Sequence, residues 1–474
     1  MENNRGQWGS NFGFIMAAVG SAVGLGNIWG FPYKCGASGG GAFLLVYLIL
    51  AAVVGVTVML GELAIGRKTG RGAVGAYASL AKKYSWVGYM GVASGFLIVG
   101  FYSVLGGMVL RYTLGFLINL FGGTGFGVDG FFGAWIANMP GMVGFYAIFM
   151  LINIVIVMGG VSGGIEKFSK IAMPCLAAIM VIVIVFVACQ PGAGAGYKFL
   201  FVPDFSVLAS DFFNVLKTAA GQMFFSLSLG MGCMITYGSY LSKKEDLASN
   251  SVIIPVADTI VALMAGMAVM PACAAYGLEY GAGPGLLFNS MQTVFLQGMG
   301  GTIGNIMGFL FYFLVLIAAI TSSISLLEVC CAFLIDKRID KGQDPKRKKM
   351  NVIIAVIAFI VGLPTALDGL GTNVAGGAWM NNPAVMFNLP VMAATADWLD
   401  FYDFLAEGVL MPLGAMIMSI LIGWVFGTKM IGEEVEATEG MKFKRAKFLD
   451  ICFKFIVPVI MVIVLVAQIT SFLG

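Results

Sequence analysis

The stretch Ala18–Trp29, "AVGSAVGLGNIW", lies inside an apolar run, Phe12 to Tyr33, long enough to cross a bilayer. Yet Gly20, Gly24 and Gly26 fall within seven residues of it, beside Ser21 and Asn27. Glycine is among the poorest helix formers, so this span is expected to unwind at its middle. Unwinding frees peptide C=O and N–H groups, which lipid tolerates only where they line a cavity in the protein. Freed carbonyls can coordinate a hard cation, and the N-terminus of a half-helix can hold a carboxylate. The stretch therefore reads as a site for an ion and a zwitterion halfway across a membrane.

The rest of the chain supports a membrane setting. Of 474 residues, 59% are hydrophobic and only 11% charged, against roughly 25% charged in soluble domains. A net charge of +3 is too small to point to nucleic acid. There is no histidine, which removes the commonest general base and metal ligand and disfavours an enzyme. Eight scattered cysteines, with no CxxC, read as small buried hydrophobes. The first apolar run is too long for a signal peptide.

Spans are expected near 11–35, 41–66, 87–120, 142–159, 165–189, 211–237, 249–276, 303–335, 350–366, 401–427 and 449–472, eleven in all. With the N-terminus in the cytoplasm, 23 of the 27 lysines and arginines fall at cytoplasmic ends or loops. That is the charge bias that orients membrane proteins, and it places the C-terminus outside. The long outer loops, 190–210, 277–302 and 367–399, are rich in Gly, Pro and Asn and read equally as lids or as connectors.

The sixth span repeats the first in one respect. In "FFSLSLGMGCM", Phe224–Met234, hydroxyls and glycines (Ser226, Ser228, Gly230, Gly232) again gather at mid-membrane. The expected fold is all-α, with residues 1–189 and 211–427 as two inverted five-helix repeats whose first helices are broken, and 449–472 as an added helix. Paired interruptions of this kind point to a transporter site. Gly55, Gly61, Gly106 and Gly107 read instead as packing glycines.

Two further signals point to cations. Asp258 lies about three turns into the seventh span, where a charge costs about 2.5–3.5 kcal/mol and needs a partner. The span offers no lysine or arginine nearby, so a bound cation is a candidate partner. In the eighth span Thr321, Ser322 and Ser323 sit together, either as helix–helix hydrogen bonds or as neutral ligands for sodium. Glu62 and Glu328 read as network members or solvated helix ends.

At this point the sequence resembles the neurotransmitter:sodium symporters, above all their bacterial amino-acid transporters. The matching segments run in order: "RGQW" (Arg5–Trp8), "GSAVGLGNIWGFPY" (Gly20–Tyr33), "GGGAF" (Gly39–Phe43), "GELAIGR" (Gly61–Arg67), "GGIEKFSKIAMP" (Gly163–Pro174), "GQMFFSLSLGMG" (Gly221–Gly232), "ITYGSY" (Ile235–Tyr240), "TSSIS" (Thr321–Ser325) and "LDFYDF" (Leu399–Phe404). The resemblance implies two sodium sites. One would use the Ala22 carbonyl, Asn27, Ser226, Asp258 and the substrate carboxylate. The other would use the carbonyls of Gly20, Val23 and Ala318 with the hydroxyls of Thr321 and Ser322. It further implies that the substrate carboxylate meets the Leu25–Gly26 backbone and Tyr102. The amine would meet carbonyls near Phe225 and Ser228, and the side chain would lie among Ile98, Phe225, Met231 and Leu326. An inner gate would pair Arg5 with Asp336, helped by Trp8 and Tyr240.

The sequence departs from that pattern in places. Family members commonly carry a basic residue at the position of Gly30, paired with the acid matching Asp403; that pair cannot form here. A bacterial leucine-transporting member has Asn where this chain has Asp258, and Glu where it has Ala262. Asp258 would then supply the fixed charge that chloride supplies in animal members, implying chloride independence. No twelfth helix is expected, as in several bacterial members of the family. Gly24 stands where monoamine-transporting members place Asp, so the substrate is expected to bring its own carboxylate. The resulting expectation is a sodium-coupled importer of a neutral, hydrophobic or aromatic L-amino acid in the cytoplasmic membrane, a monomer or weak dimer. A transport-dead sensor of the same fold is the alternative. An ion channel would need a continuous polar lining, and an intramembrane enzyme a nucleophile–base pair.

Overall fold

The computed structural model describes residues 6–126, 130–280, 283–372, 383, 397–443 and 445–473. The main helices are α1 (Asn11–Ala22), α2 (Gly26–Ala37), α3 (Gly41–Thr69), α4 (Lys82–Leu120), α5 (Met139–Met158), α6 (Val161–Ala188), α7 (Phe205–Ser226), α8 (Cys233–Gly238), α9 (Leu247–Ala275), α10 (Gly301–Asp340), α11 (Arg347–Leu367), α12 (Trp398–Phe426) and α13 (Ala446–Thr470). Among the described residues nine helices are long and apolar enough to cross a membrane, and the bent pair α1–α2 makes ten. The other predicted span, 211–237, is the pair α7 and α8 with Leu227–Gly232 between them. Its predicted start coincides with a kink at Asp211 in α7 (φ −140°, ψ 37°).

Packing explains why an apolar chain needs so few charges. Ile171, Val155 and Ile360 point outward from the bundle, as side chains facing lipid do. Inside, α4 and α10 lie along each other, and the glycines read as packing residues sit at helix contacts: Gly106 abuts Phe149 and Gly107 abuts Tyr146. All eight cysteines are free, six of them buried.

Two of the long loops are more ordered than their composition suggested. Residues 190–210 contain a helix, Ala193–Phe201, anchored by buried Leu200. Residues 286–299 form helical turns that bury Leu287, Phe288, Met291 and Phe295. Most of 367–399 lies outside the described residues, but its base is clear. The Asp368 carboxylate accepts the N–H of Leu370 at 2.9 Å and of Trp398 at 2.8 Å, tying the two ends together. Burial, aided by nearby Asp397, pushes the Asp368 carboxyl up to about 8. A carboxyl raised in the folded state favours folding while protonated and loses that contribution as pH climbs from its unfolded value through the folded one. Melting temperature is therefore expected to fall between about pH 4 and pH 8. In Asp368→Asn that fall should flatten; an unchanged pH profile would assign it to other groups.

Candidate functional site

The first span breaks where the glycines predicted. Val23 is extended (φ −76°, ψ 104°), and the halves α1 and α2 meet at 49°. The chain opens here because its neighbours leave no room for side chains. A Cβ on Gly24 would stand 2.4 Å from Ser322 Oγ and 2.6 Å from the Tyr102 hydroxyl. The freed donors find local partners: Gly24 N–H donates to Asn27 Oδ1 at 3.0 Å and Leu25 N–H to the Tyr102 oxygen at 2.9 Å.

The second break, Leu227–Gly232, is built from left-handed backbone. Ser228 (φ 53°), Gly230 (φ 80°) and Gly232 (φ 75°) all have positive φ. At Gly230 only glycine fits, since a Cβ would lie 2.4 Å from the Met411 carbonyl oxygen. The Gly230 N–H donates to Glu62 Oε1 at 2.6 Å. Glu62 is thus a buried network member that satisfies backbone released by the break. The two breaks are joined directly. Ser228 Oγ donates to the Ser21 carbonyl at 2.9 Å, and Gln222 Nε2 to the Gly26 carbonyl at 2.7 Å.

Asp258 lies against both breaks and is fully buried. Its carboxylate accepts from Asn27 Nδ2 at 2.7 Å, from Ser226 Oγ at 2.9 and 3.0 Å, and from the Tyr47 hydroxyl at 3.3 Å. These partners are all neutral. Burying a carboxylate costs several kcal/mol even after relaxation, so this cluster lacks one positive charge.

On the other side of the first break a second group of oxygens converges. Thr321 Oγ1 lies 3.0 Å from the Ala318 carbonyl and 3.4 Å from that of Val23. Ser322 Oγ lies 3.1 Å from the Val23 carbonyl and 3.3 Å from that of Gly20. Ser323 does not join them; it donates to Asn153 at 2.6 Å. Oxygens about 3.4 Å apart are the vertices of an octahedron with roughly 2.4 Å metal–oxygen bonds. Among the described residues no three Asp, Glu or Cys side chains gather as a divalent site would require. One carboxylate in the first cluster and none in the second suit a monovalent ion.

Between the clusters is a small, nearly filled cavity, lined by Ser21, Ala22, Gly24, Gly26, Ile98, Tyr102, Phe225, Ser226, Ser228, Met231, Ser322 and Leu326. It gathers every residue expected around the substrate except Leu25. Leu25 instead lines a second, larger cavity, which shares Gly26, Tyr102 and Phe225 with the first.

The two ends of this path differ. On the side of the chain's N-terminus, Trp8 Nε1 donates to the Tyr237 carbonyl at 3.0 Å, and the ring packs against Tyr237 and Tyr240. Tyr240 donates to Glu328 at 2.7 Å, and Glu328 is ion-paired with Arg347. Asp336 accepts from Gly72 N–H at 2.8 Å; the predicted Arg5–Asp336 pair lies outside the described residues because of Arg5. At the opposite end Asp403 lines the larger cavity, as do two residues the sequence reading passed over. Lys34 Nζ and Glu407 Oε1 form an ion pair of 2.7 Å there.

Residues 5–122 and 137–473 match the sequence profile of the sodium:neurotransmitter symporter family. The chain belongs to that family. Among its symporter relatives, an uncharacterized sodium-dependent transporter, YhdH of Bacillus subtilis, is 36% identical over 88% of this chain and 87% of its own length. An uncharacterized sodium-dependent transporter of Haemophilus influenzae is 32% identical over 98% of both chains. The crystal structure of MhsT in complex with L-phenylalanine superposes with a TM-score of 0.84 at 37% identity, covering 98% of this chain and all of MhsT. As a symporter the chain is a multi-pass membrane transporter dependent on sodium, not an enzyme.

Proposed function

We propose that this symporter imports a neutral L-amino acid with a hydrophobic or aromatic side chain, coupled to two sodium ions, by alternating access and without chloride. The observation that carries the coupling is the meeting of five oxygens, from Gly20, Val23, Ala318, Thr321 and Ser322, across the seam between α1 and α10, none more than 3.4 Å from its neighbour in the group. An ion there links the broken span to the long helix α10, so it favours one arrangement of the two over another. Only such differential contacts can shift a conformational equilibrium.

The Asp258 cluster is the first sodium site, with Ala22 and Asn27, and the ion supplies its missing charge. The substrate carboxylate completes that site, taking the Leu25 N–H and the Tyr102 hydroxyl, which in the structure bond each other. Its amine meets acceptors near Phe225 and Ser228. Ile98, Phe225, Met231 and Leu326 give the side-chain end an apolar, adaptable lining. The complex of MhsT with L-phenylalanine supports an aromatic guest. With the N-terminus inside, each inward sodium yields about 2.3 kcal/mol per 100 mV and about 1.4 kcal/mol per tenfold gradient. Two ions then supply roughly 7 kcal/mol, enough for a substrate gradient on the order of 10⁵.

The test is a thermal-shift panel of the twenty amino acids in sodium and in potassium, followed by uptake into proteoliposomes. Leucine-like and aromatic amino acids are expected to raise the melting temperature in sodium alone. Equal stabilisation in potassium would sink the coupling, and binding without accumulation would make the protein a sensor.

A further inference from the structure

We propose that Lys34 and Glu407 form the outer lock of this transporter, delivering from the next helical turn the charge that position 30 lacks. The inference rests on the symport reading above.

Lys34 lies one turn beyond Gly30 on α2, and Glu407 one turn beyond Asp403 on α12. Their headgroups nevertheless meet at 2.7 Å, with side chains only 15% and 7% exposed. The lysine stem reaches back toward the break, which places its ammonium 5.9 Å from the centre of the Phe225 ring. Phe225 lines both cavities, so the pair stands over a side chain that the two share. A Cβ at position 30 would lie 3.0 Å from Gln222 Oε1, the end of a flexible side chain, with its next neighbours at 3.8 Å.

Charge balance makes the position of this one cation decisive. Among the described residues lining the larger cavity, Lys34 is the only basic one, against Asp400, Asp403 and Glu407. The pair joins α2, the half-helix beyond the first break, to α12. Opening the path from the larger cavity to the smaller one separates those helices and must part the ions. A largely buried, hydrogen-bonded ion pair of this kind acts on dissociation more than on encounter. The lock therefore governs how long a substrate stays once bound. A tie that served only to hold the fold together would lower the melting temperature without touching that residence time.

The test uses the purified full chain with radiolabelled L-phenylalanine and L-leucine bound in sodium, then chased by dilution at constant sodium. Lys34→Gln and Glu407→Gln are each expected to speed release about tenfold or more. Lys34→Arg should stay near the unaltered rate, and the exchange Lys34→Glu with Glu407→Lys should recover to within about threefold of it. Release unchanged in both single variants, whatever their melting temperatures, would overturn the lock. So would a well-folded exchange variant that releases as fast as the singles. Absence of sodium-dependent binding in the unaltered protein would instead overturn the symport reading.

Discussion

Asp258→Asn is expected to raise the sodium concentration for half-maximal uptake about 10- to 100-fold in chloride-free medium, as the loss of one charge-assisted contact of about 1.5–3 kcal/mol requires. The carboxylate is fully buried among neutral donors, and nothing else in the cluster carries a charge. Asparagine keeps the shape, so the Asn27 and Ser226 contacts have a replacement acceptor and the fold should survive. What is lost is the fixed negative charge opposite the ion. If that charge stands in for chloride, adding chloride to the variant should restore part of the sodium affinity, while the unaltered protein should not respond. A variant whose sodium response is unchanged with and without chloride would remove Asp258 from the site.

The second large effect is steric. Gly24→Ala should reduce substrate affinity about 10- to 100-fold, the range for forcing a methyl into a filled space. The new Cβ would stand 2.4 Å from Ser322 Oγ, a member of the second oxygen cluster, and 2.6 Å from the Tyr102 oxygen, which holds the Leu25 N–H. One methyl therefore disturbs both the ion and the carboxylate positions. Gly133→Ala is the control: its Cβ meets nothing within 4 Å, and uptake should be unaltered. Near-normal binding in Gly24→Ala, measured with a sodium-dependent melting shift to show that the protein is folded, would show that the break can widen at little cost.

Much of this site was legible because its signals are local. Three glycines in seven residues announced the first break, and an acid without a basic neighbour in its own span announced Asp258. Thr321 and Ser322 were visible as adjacent hydroxyls, but not that Ser323 turns away to Asn153. The unread parts are pairings across hundreds of residues. Glu62 joins Gly230 over 168 positions, and Lys34 joins Glu407 over 373. A search for a basic residue at position 30 alone missed Lys34, although a long flexible stem can bring its charge back by a turn. The signal was present in the spacing: a lysine four residues after Gly30 and a glutamate four after Asp403. Loops 190–210 and 277–302 were read only as lids or connectors, because Gly and Pro content hides short helices that pack only in context.

Ser228 grips the Ser21 carbonyl, which a continuous helix would have kept for itself, and Gln222 grips the Gly26 carbonyl alongside the Phe31 N–H. Each fracture thus supplies a rivet for the other. The two broken spans are fastened to each other, so in the proposed alternating access they would swing as one stiff lever. On the proposed mechanism its pivoting is decided along the joint it shares with α10, where the proposed second sodium site lies between hinge and frame.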